Sequence, residues 1–428
     1  MRRFVLPFAA AFLVVPGAFA QGTPSPSFSP PPETAKAGSA QARPPLTLAA
    51  AVDLAMALNP ELAAASLEVD AVAGARLQAA ARPNPELAFL LEDTRQATRT
   101  TTLQINQPIE LGGKRDARIA AADRGSDVAR LELQTRRQAV RAAVATAYFD
   151  LLAVQERVRV AEAALAVVQR SSRAATQRVA AGKVSPVEET KARVAEAGVR
   201  IELTQVRSEE IGARSRLATA IGQPIDGYAL DGSLGTLPPM PSDETFRSKM
   251  ENAPAVNRAE LEVARRTALT AVENSRKFSD VTVSLGGKRN NELGLNQAVI
   301  GVTVPLPLFD RNQGNILEAL RREDKARDEA NATRAIVRSE STQVRERLLA
   351  ARTEAIALGA DVLPGAQSAF DASTRGFELG KFSFLEVLDA QRTLLQARTQ
   401  YLRALAEAHR AAADLNRILG VDAMPATP

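Results

Sequence analysis

The sequence contains no cysteine, no tryptophan and a single histidine, His409. Without cysteine there is no disulfide to staple the fold and no N-terminal thiol to carry a lipid. No Ser/His/Asp, Cys/His or zinc-ligand constellation is recognisable, and no Gly-x-x-x-x-Gly-Lys-Ser/Thr phosphate loop occurs. Gly112-Gly113-Lys114-Arg115 reads instead as a strand-to-helix turn that sets Lys114, Arg115 and Arg118 near a polar boundary. His409 reads as a polar interruption of a helix seam. No enzyme, cofactor or resident metal is expected. Aromatic residues make up only 4%, which excludes a core of bulky rings. Beyond the N-terminus no segment approaches ~18 uninterrupted apolar residues, so no transmembrane helix is expected. If the mature chain enters a membrane, it must do so as a closed β-barrel. Charge is balanced, with 54 Lys and Arg against 49 Asp and Glu. The two signs alternate along the chain and no basic block with interleaved aromatics occurs, which argues against a nucleic-acid partner.

What is present begins with an export signal. Met1-Arg2-Arg3, an apolar stretch from Phe4 to Val15 and Ala18-Phe19-Ala20 have the three parts of a signal peptide over 1–20. Residues 21–46, rich in Pro, Ser and Ala, read as a flexible leader. Thr47 then caps a helix expected to run to about Ala81, before Pro83-Asn84-Pro85. Two strands come next: Leu87, Phe89 and Leu91 alternate with Ala88, Leu90 and Glu92, and Thr100–Leu111 shows the same two-residue period. From Lys114 to Ala181 there is no proline. Val140, Val144, Ala147, Leu151, Val154, Val158, Ala161, Leu165 and Val168 form a seam with the 3.5-residue period of a coiled coil. At 1.5 Å per residue this helix is on the order of 100 Å long. Gly182-Lys183 breaks it, and Ser185-Pro186 starts a return helix that ends at Gly222.

Residues 223–250 read as a linker of short turns, and then the programme repeats. A helix is expected over about Ala255 to Lys277. A strand pair holds Val281, Val283 and Leu285, then Ala298–Leu308. One long helix runs to about Leu379, with a seam through Val337, Val344, Leu348, Ala351, Ala355, Leu358 and Val362. Gly380-Lys381 breaks it, Ser383 caps the return helix and Gly420 ends it. The halves align without gaps around these breaks, Gly182 falling on Gly380, Lys183 on Lys381, Ser185 on Ser383, Glu188 on Glu386 and Gly222 on Gly420. The domain reading is therefore a signal peptide (1–20), a leader (21–46), two repeats (47–222 and 251–420) around a linker (223–250), and a tail (421–428).

On pattern alone each strand pair also fits an ordinary half-buried hairpin; the export signal and the second copy point to spanning strands. A spanning barrel strand needs roughly 9–11 residues with a dyad pattern. Four strands cannot close a barrel, and open edges are not viable in lipid. Three chains supply twelve strands and six long hairpins, enough for a barrel continued by a helical tube.

The order of elements, with QPIELGGKR (107–115), VPLPLFDRNQGNI (304–316) and GKFSFLEVLDAQRTLLQAR (380–398), resembles the TolC family of outer-membrane efflux proteins over about Leu46 to Gly420. The first two motifs are most similar to its CzcC-type subgroup, which serves exporters of cobalt, zinc, cadmium and related cations. The resemblance implies a mainly α fold with a small β part: coiled-coil hairpins forming an α-barrel, and four strands per chain in a twelve-stranded transmembrane β-barrel. It implies a homotrimer in outer-membrane lipid, acting as a passive exit duct for an inner-membrane RND-type pump joined to it by a periplasmic adaptor. Gly182, Lys183, Val184 and Ser185, with Gly380, Lys381, Phe382 and Ser383, match the periplasmic tips where the adaptor docks. A plain interhelical turn explains the same glycines. Glu386 and Asp389 match acidic rings at the periplasmic mouth; without the resemblance they read as solvated helix carboxylates. The family's tip tyrosine and arginine are replaced by Phe377 and Phe382, so the contacts closing the mouth must differ, with Lys381 and Arg375 as candidates.

Overall fold

The computed structural model describes residues 45–421; the expected signal peptide, nearly all of the leader and most of the tail lie outside them. Helix α1 (Leu48–Leu58) starts at Thr47, whose hydroxyl accepts the Ala50 N–H at 3.2 Å. The single helix expected up to Ala81 is in fact two: α2 (Pro60–Ala80) leaves α1 at 44°. Pro60 has no N–H to continue α1. Asn59 takes an extended conformation instead, and its side-chain oxygen accepts the Glu61 N–H at 2.9 Å. Its amide donates to Ala220 O at 2.9 Å, fixing the break against the return helix.

Strands β1 (Glu86–Glu92) and β2 (Thr100–Ile109) form the first hairpin, β3 (Val281–Asn290) and β4 (Leu295–Thr303) the second. All four join in one antiparallel sheet of order β1-β2-β3-β4. The register aligns the apolar residues in rows. Leu87, Ile105, Leu285 and Ile300 lie side by side, as do Phe89 and Leu103, and Val283 and Val302. The alternate rows hold Gln104 beside Gly286, Asn106 beside Ser284, and Lys288 between Thr102 and Gln297. Ile300 is 76% exposed, which marks a face built for contact with something other than this chain. β4 stops at Thr303, short of the Leu308 expected from alternation. Pro305 and Pro307 cannot donate to a ladder, so Val304–Leu308 continues the pattern without pairing.

Helix α3 (Lys114–Ala180) spans 67 residues and returns through α4 (Pro186–Ile221). The expected seam is buried at Val140, Val144, Ala147, Leu151, Ala161 and Val168. The linker expected to consist of turns contains a helix, α5 (Asp243–Glu251), capped by Ser242. Helix α6 (Pro254–Ser275) comes after it. α5 and α6 repeat α1 and α2: a short helix, then one with proline at its first position. Gly222, at φ +93°, lies so close to Asn59 and Pro60 that a Cβ would sit 2.9 Å from Leu58 O. Gly420, at φ +66°, abuts Pro254 in the same way. Each return helix thus ends on the proline that starts a helix of its own repeat, where only glycine fits.

The second long arm is not one helix. α7 (Gln313–Ala357) passes into a π-helical turn, Leu358–Val362, and then α8 (Leu363–Glu378). Val337, Leu348, Ala351, Ala355 and Leu358 are buried as expected, but Val362 is 44% exposed. A π turn holds an extra residue, which rotates the downstream helix by about one residue, or ~100°. Leu363, Ala366 and Phe370 consequently carry the seam, packing on Leu394 and Ala397 of α9 (Phe384–Leu419). In the half near the sheet α3 contacts α2 and α6, and α6 contacts α7; in the other half α3 contacts α4 and α9. In the core of the first repeat, Tyr148 is buried with its hydroxyl donating to Asp231 O of the linker at 2.7 Å. Burial pushes that phenol up to about 12.

Candidate functional site: the hairpin tips and the strand sheet

Both tips are built the same way. At the first, Gly182 adopts φ +66°, and the N–H groups of Gly182 and Lys183 donate to Val179 O and Arg178 O, each at 2.9 Å. At the second, Gly380 adopts φ +73°, and Gly380 and Lys381 donate to Phe377 O and Gly376 O at 3.0 and 2.8 Å. A glycine in the left-handed region closes the last helical carbonyls and reverses the chain. Ser185 then caps α4, its hydroxyl accepting the Val187 N–H at 3.3 Å. Gly182, Lys183 and Ser185 are exposed and Val184 half-buried; Gly380, Lys381, Phe382 and Ser383 are exposed. The eight residues singled out from the sequence therefore form two projecting turns, each carrying a lysine.

Ser383 and Glu386 form a capping box: the Glu386 N–H donates to Ser383 Oγ at 3.4 Å, and the Ser383 N–H donates to Glu386 Oε2 at 2.6 Å. Glu386 thus holds the start of α9, a task its matching to an acidic ring does not reveal. Asp389 lies one turn on; both are exposed.

One tip residue gave no sign of its role in the sequence. Arg178, in the last turn of α3, sets its guanidinium 4.1 Å from the centre of the Phe377 ring and donates to Phe377 O at 3.2 Å. This contact ties the end of the first hairpin to the end of the second. Beneath it Ala175 and Ala192 are buried against Phe377 and Leu388. The available signal was a cation at a helix C-terminus, where the dipole favours it; nothing in the spacing named its partner.

At the sheet end, Lys114 Nζ lies 2.6 Å from Asp280 Oδ1, Arg115 donates to Ala80 O at 2.7 Å, and Arg118 pairs with Glu110. The three cations read as lying near a polar boundary thus pin α3 to the strands and to α2. His409 is buried, stacked 3.6 Å from Phe149, with Nε2 3.2 Å from Leu234 O. Burial holds it down at about 4. Among the described residues no group of three or more His, Cys, Asp or Glu side chains is placed to hold a metal ion.

Residues 51–223 and 247–421 match the family described as outer membrane efflux protein, one block on each repeat. The chain belongs to that family. It is a component of an outer-membrane efflux channel, and the exposed apolar rows of its sheet are the surface suited to lipid. It is 46% identical over 423 residues to the cobalt-zinc-cadmium resistance protein CzcC of Cupriavidus metallidurans, covering 98% of this chain and 100% of that one. It is 30% identical to the nickel-cobalt-cadmium resistance protein NccC of Alcaligenes xylosoxydans xylosoxydans over 69% of this chain and 70% of that one. Among solved structures, a Pseudomonas aeruginosa membrane protein superimposes with a TM-score of 0.76 at 21% identity, over 87% of this chain and 92% of that one. The channel CusC does so with a TM-score of 0.72 at 18% identity, over 87% and 91%. These likenesses establish the TolC-like fold.

Proposed function

We propose that three copies of this chain close a twelve-stranded barrel and a helical tunnel, forming a passive duct that carries divalent metal cations out of the cell. The observation that carries the metal reading is the full-length relationship to a cobalt-zinc-cadmium resistance protein, joined by relatives named for nickel, cobalt and cadmium. Trimer closure is supported by the two unpaired sheet edges, β1 and β4, which lipid does not tolerate. It is supported also by exposed Val187, Val194, Ile201 and Ile211 on α4 and Leu349 and Ile356 on α7. These apolar residues on two separate helices offer the two unlike surfaces that a head-to-tail ring requires.

In this reading the two tips dock a periplasmic adaptor, which links the duct to an inner-membrane RND-type pump. Glu386 and Asp389, three copies of each, ring the periplasmic mouth and favour cations. A duct has no need of tight ligands, since high affinity slows exit. In this reading the chain is exported on its signal peptide and, having no cysteine, carries no covalently attached lipid. Deleting the gene in its host and challenging with zinc, cobalt, cadmium, nickel and hydrophobic drugs tests the cargo. Metal sensitivity, reversed by the intact gene, is the expected result. Sensitivity to drugs alone would replace the metal reading with that of a duct for organic compounds.

A further inference from the structure

At the end of the sheet remote from the helices, the row Leu91, Thr101, Arg289 and Asn296 continues the apolar rows on the same face. Side chains alternate along a strand, so Arg289 shares a face with Leu285, four residues along β3. Arg99, two residues before Thr101, continues that alternation toward Leu103. Asn291 lies opposite Arg99, its N–H donating to Arg99 O at 3.0 Å. Its side chain joins Arg289 to the turn that leads into Arg99: Arg289 Nε is 3.4 Å from Asn291 Oδ1, and the Asn291 amide donates to Gln96 O at 3.0 Å. Among the described residues, neither Arg99 nor Arg289 has an acidic partner within ion-pair distance. The acids nearest in sequence have other partners, Asp93 with Thr98 and Arg95, and Glu92 with Lys288 on the opposite face. Exposed Glu292 lies in the turn beyond. Arg99 donates from its fork to Thr94 O at 3.4 Å, whereas its Nε is buried with no acceptor.

Arg99 and Arg289 stand on diagonal positions of neighbouring strands, a spacing of roughly 7–8 Å that long side chains can bridge, and like charges so placed repel. They are stable together when an anion bridges them, and guanidinium forks match phosphate oxygens. Directly below lie Leu103 and Leu285, 51% and 63% exposed, a surface for acyl chains. Phosphate above and hydrocarbon below is the chemistry of a membrane lipid. β2 and β3 are the central strands, so closure through β1 and β4 leaves this spot uncovered. We infer that Arg99 and Arg289 bind the phosphate of an outer-leaflet glycolipid whose acyl chains rest on Leu103 and Leu285. This rests on the barrel reading above, which fixes the strand ends remote from the helices as the outer rim.

The test uses full-length mature protein extracted from outer membranes, with lipid A retained per chain counted by native mass spectrometry. Bisphosphorylated lipid A, the same lipid with its phosphates removed, and inorganic phosphate are added in separate arms. Wild type retains the bisphosphorylated lipid. Retention falls about tenfold or more in R99Q/R289Q, R99K/R289K keeps part of it, and the dephosphorylated lipid is held no better by wild type than by R99Q/R289Q. Equal retention by wild type and R99Q/R289Q overturns the proposal. So does displacement of lipid A by equimolar inorganic phosphate, which would make this a free-anion site. If the wild type is extracted without forming heat-resistant trimers, it is the barrel reading that fails.

Discussion

Replacing Arg178 by Gln removes the guanidinium from the Phe377 ring and the charged donor from Phe377 O, while leaving a shorter polar side chain. A half-buried cation–π contact contributes ~0.5–2 kcal/mol, and a hydrogen bond from a charged donor ~1.5–3 kcal/mol when shielded. Arg178 is half-buried, so solvent screening brings the combined link down to about 2 kcal/mol. That is a factor of about 30 in the equilibrium between joined and separated hairpin tips in each chain. If these contacts hold the periplasmic mouth closed, R178Q raises the open fraction in planar-bilayer recordings by at least tenfold. F377L isolates the ring: it keeps apolar volume over Ala175 and Ala192 and the carbonyl acceptor, and produces a smaller rise. R178Q with wild-type conductance and open fraction, in trimers of wild-type yield, would refute this reasoning by showing that the tips are held elsewhere.

The acidic pair is separable by position. E386Q/D389N is expected to lower cation preference in single-channel recordings, and unchanged selectivity would remove both residues from the mouth. Because Glu386 also closes the capping box, E386A alone destabilises the start of α9 by about 1 kcal/mol, read as faster amide exchange there, whereas E386Q, whose amide oxygen accepts the same Ser383 N–H, and D389N do not. K183E/K381E is expected to abolish cross-linking to the adaptor with trimers intact; persistent cross-linking would displace docking from the tips. His409 is held down at about 4 from its ordinary 6.5, so the unfolded chain binds more protons between those values. Its contribution is fully present above about pH 6.5, declines as pH falls and is gone below about 4. The shift corresponds to about 3 kcal/mol. H409Q therefore flattens thermal stability between about pH 7 and pH 4.5 relative to wild type, and an unchanged slope would assign the acid sensitivity to other groups.

How far the sequence carried depends on what each feature needed. Periodicity located the strands, the long arms and the α3 seam because each rests on many residues that alternate or repeat. Gly182 and Gly380 announced the tips because reversal of a helix leaves few alternatives to glycine. The α1–α2 break was also legible, since Asn59-Pro60 is a cap followed by a first-turn proline. It was masked by an alanine-rich run that reads as helix on either side. α5 carried its signal in Ser242 with Asp243 and Glu244 behind it, but nine residues that bury only Phe246 give little period to detect. The π turn was beyond reach in kind. Val362 stands where an unbroken seam puts it, and only the packing of Leu363 and Ala366 against α9 shows that the phase has moved. The tip contact failed for the same reason. Arg178 and Phe377 are 199 residues apart, close to the repeat offset, so duplication sets them at nearly equivalent heights on adjoining hairpins. Their meeting depends on how the hairpins lean together, which a one-dimensional pattern does not encode. What repeats was therefore readable, whereas contacts between the repeats had to be found in three dimensions.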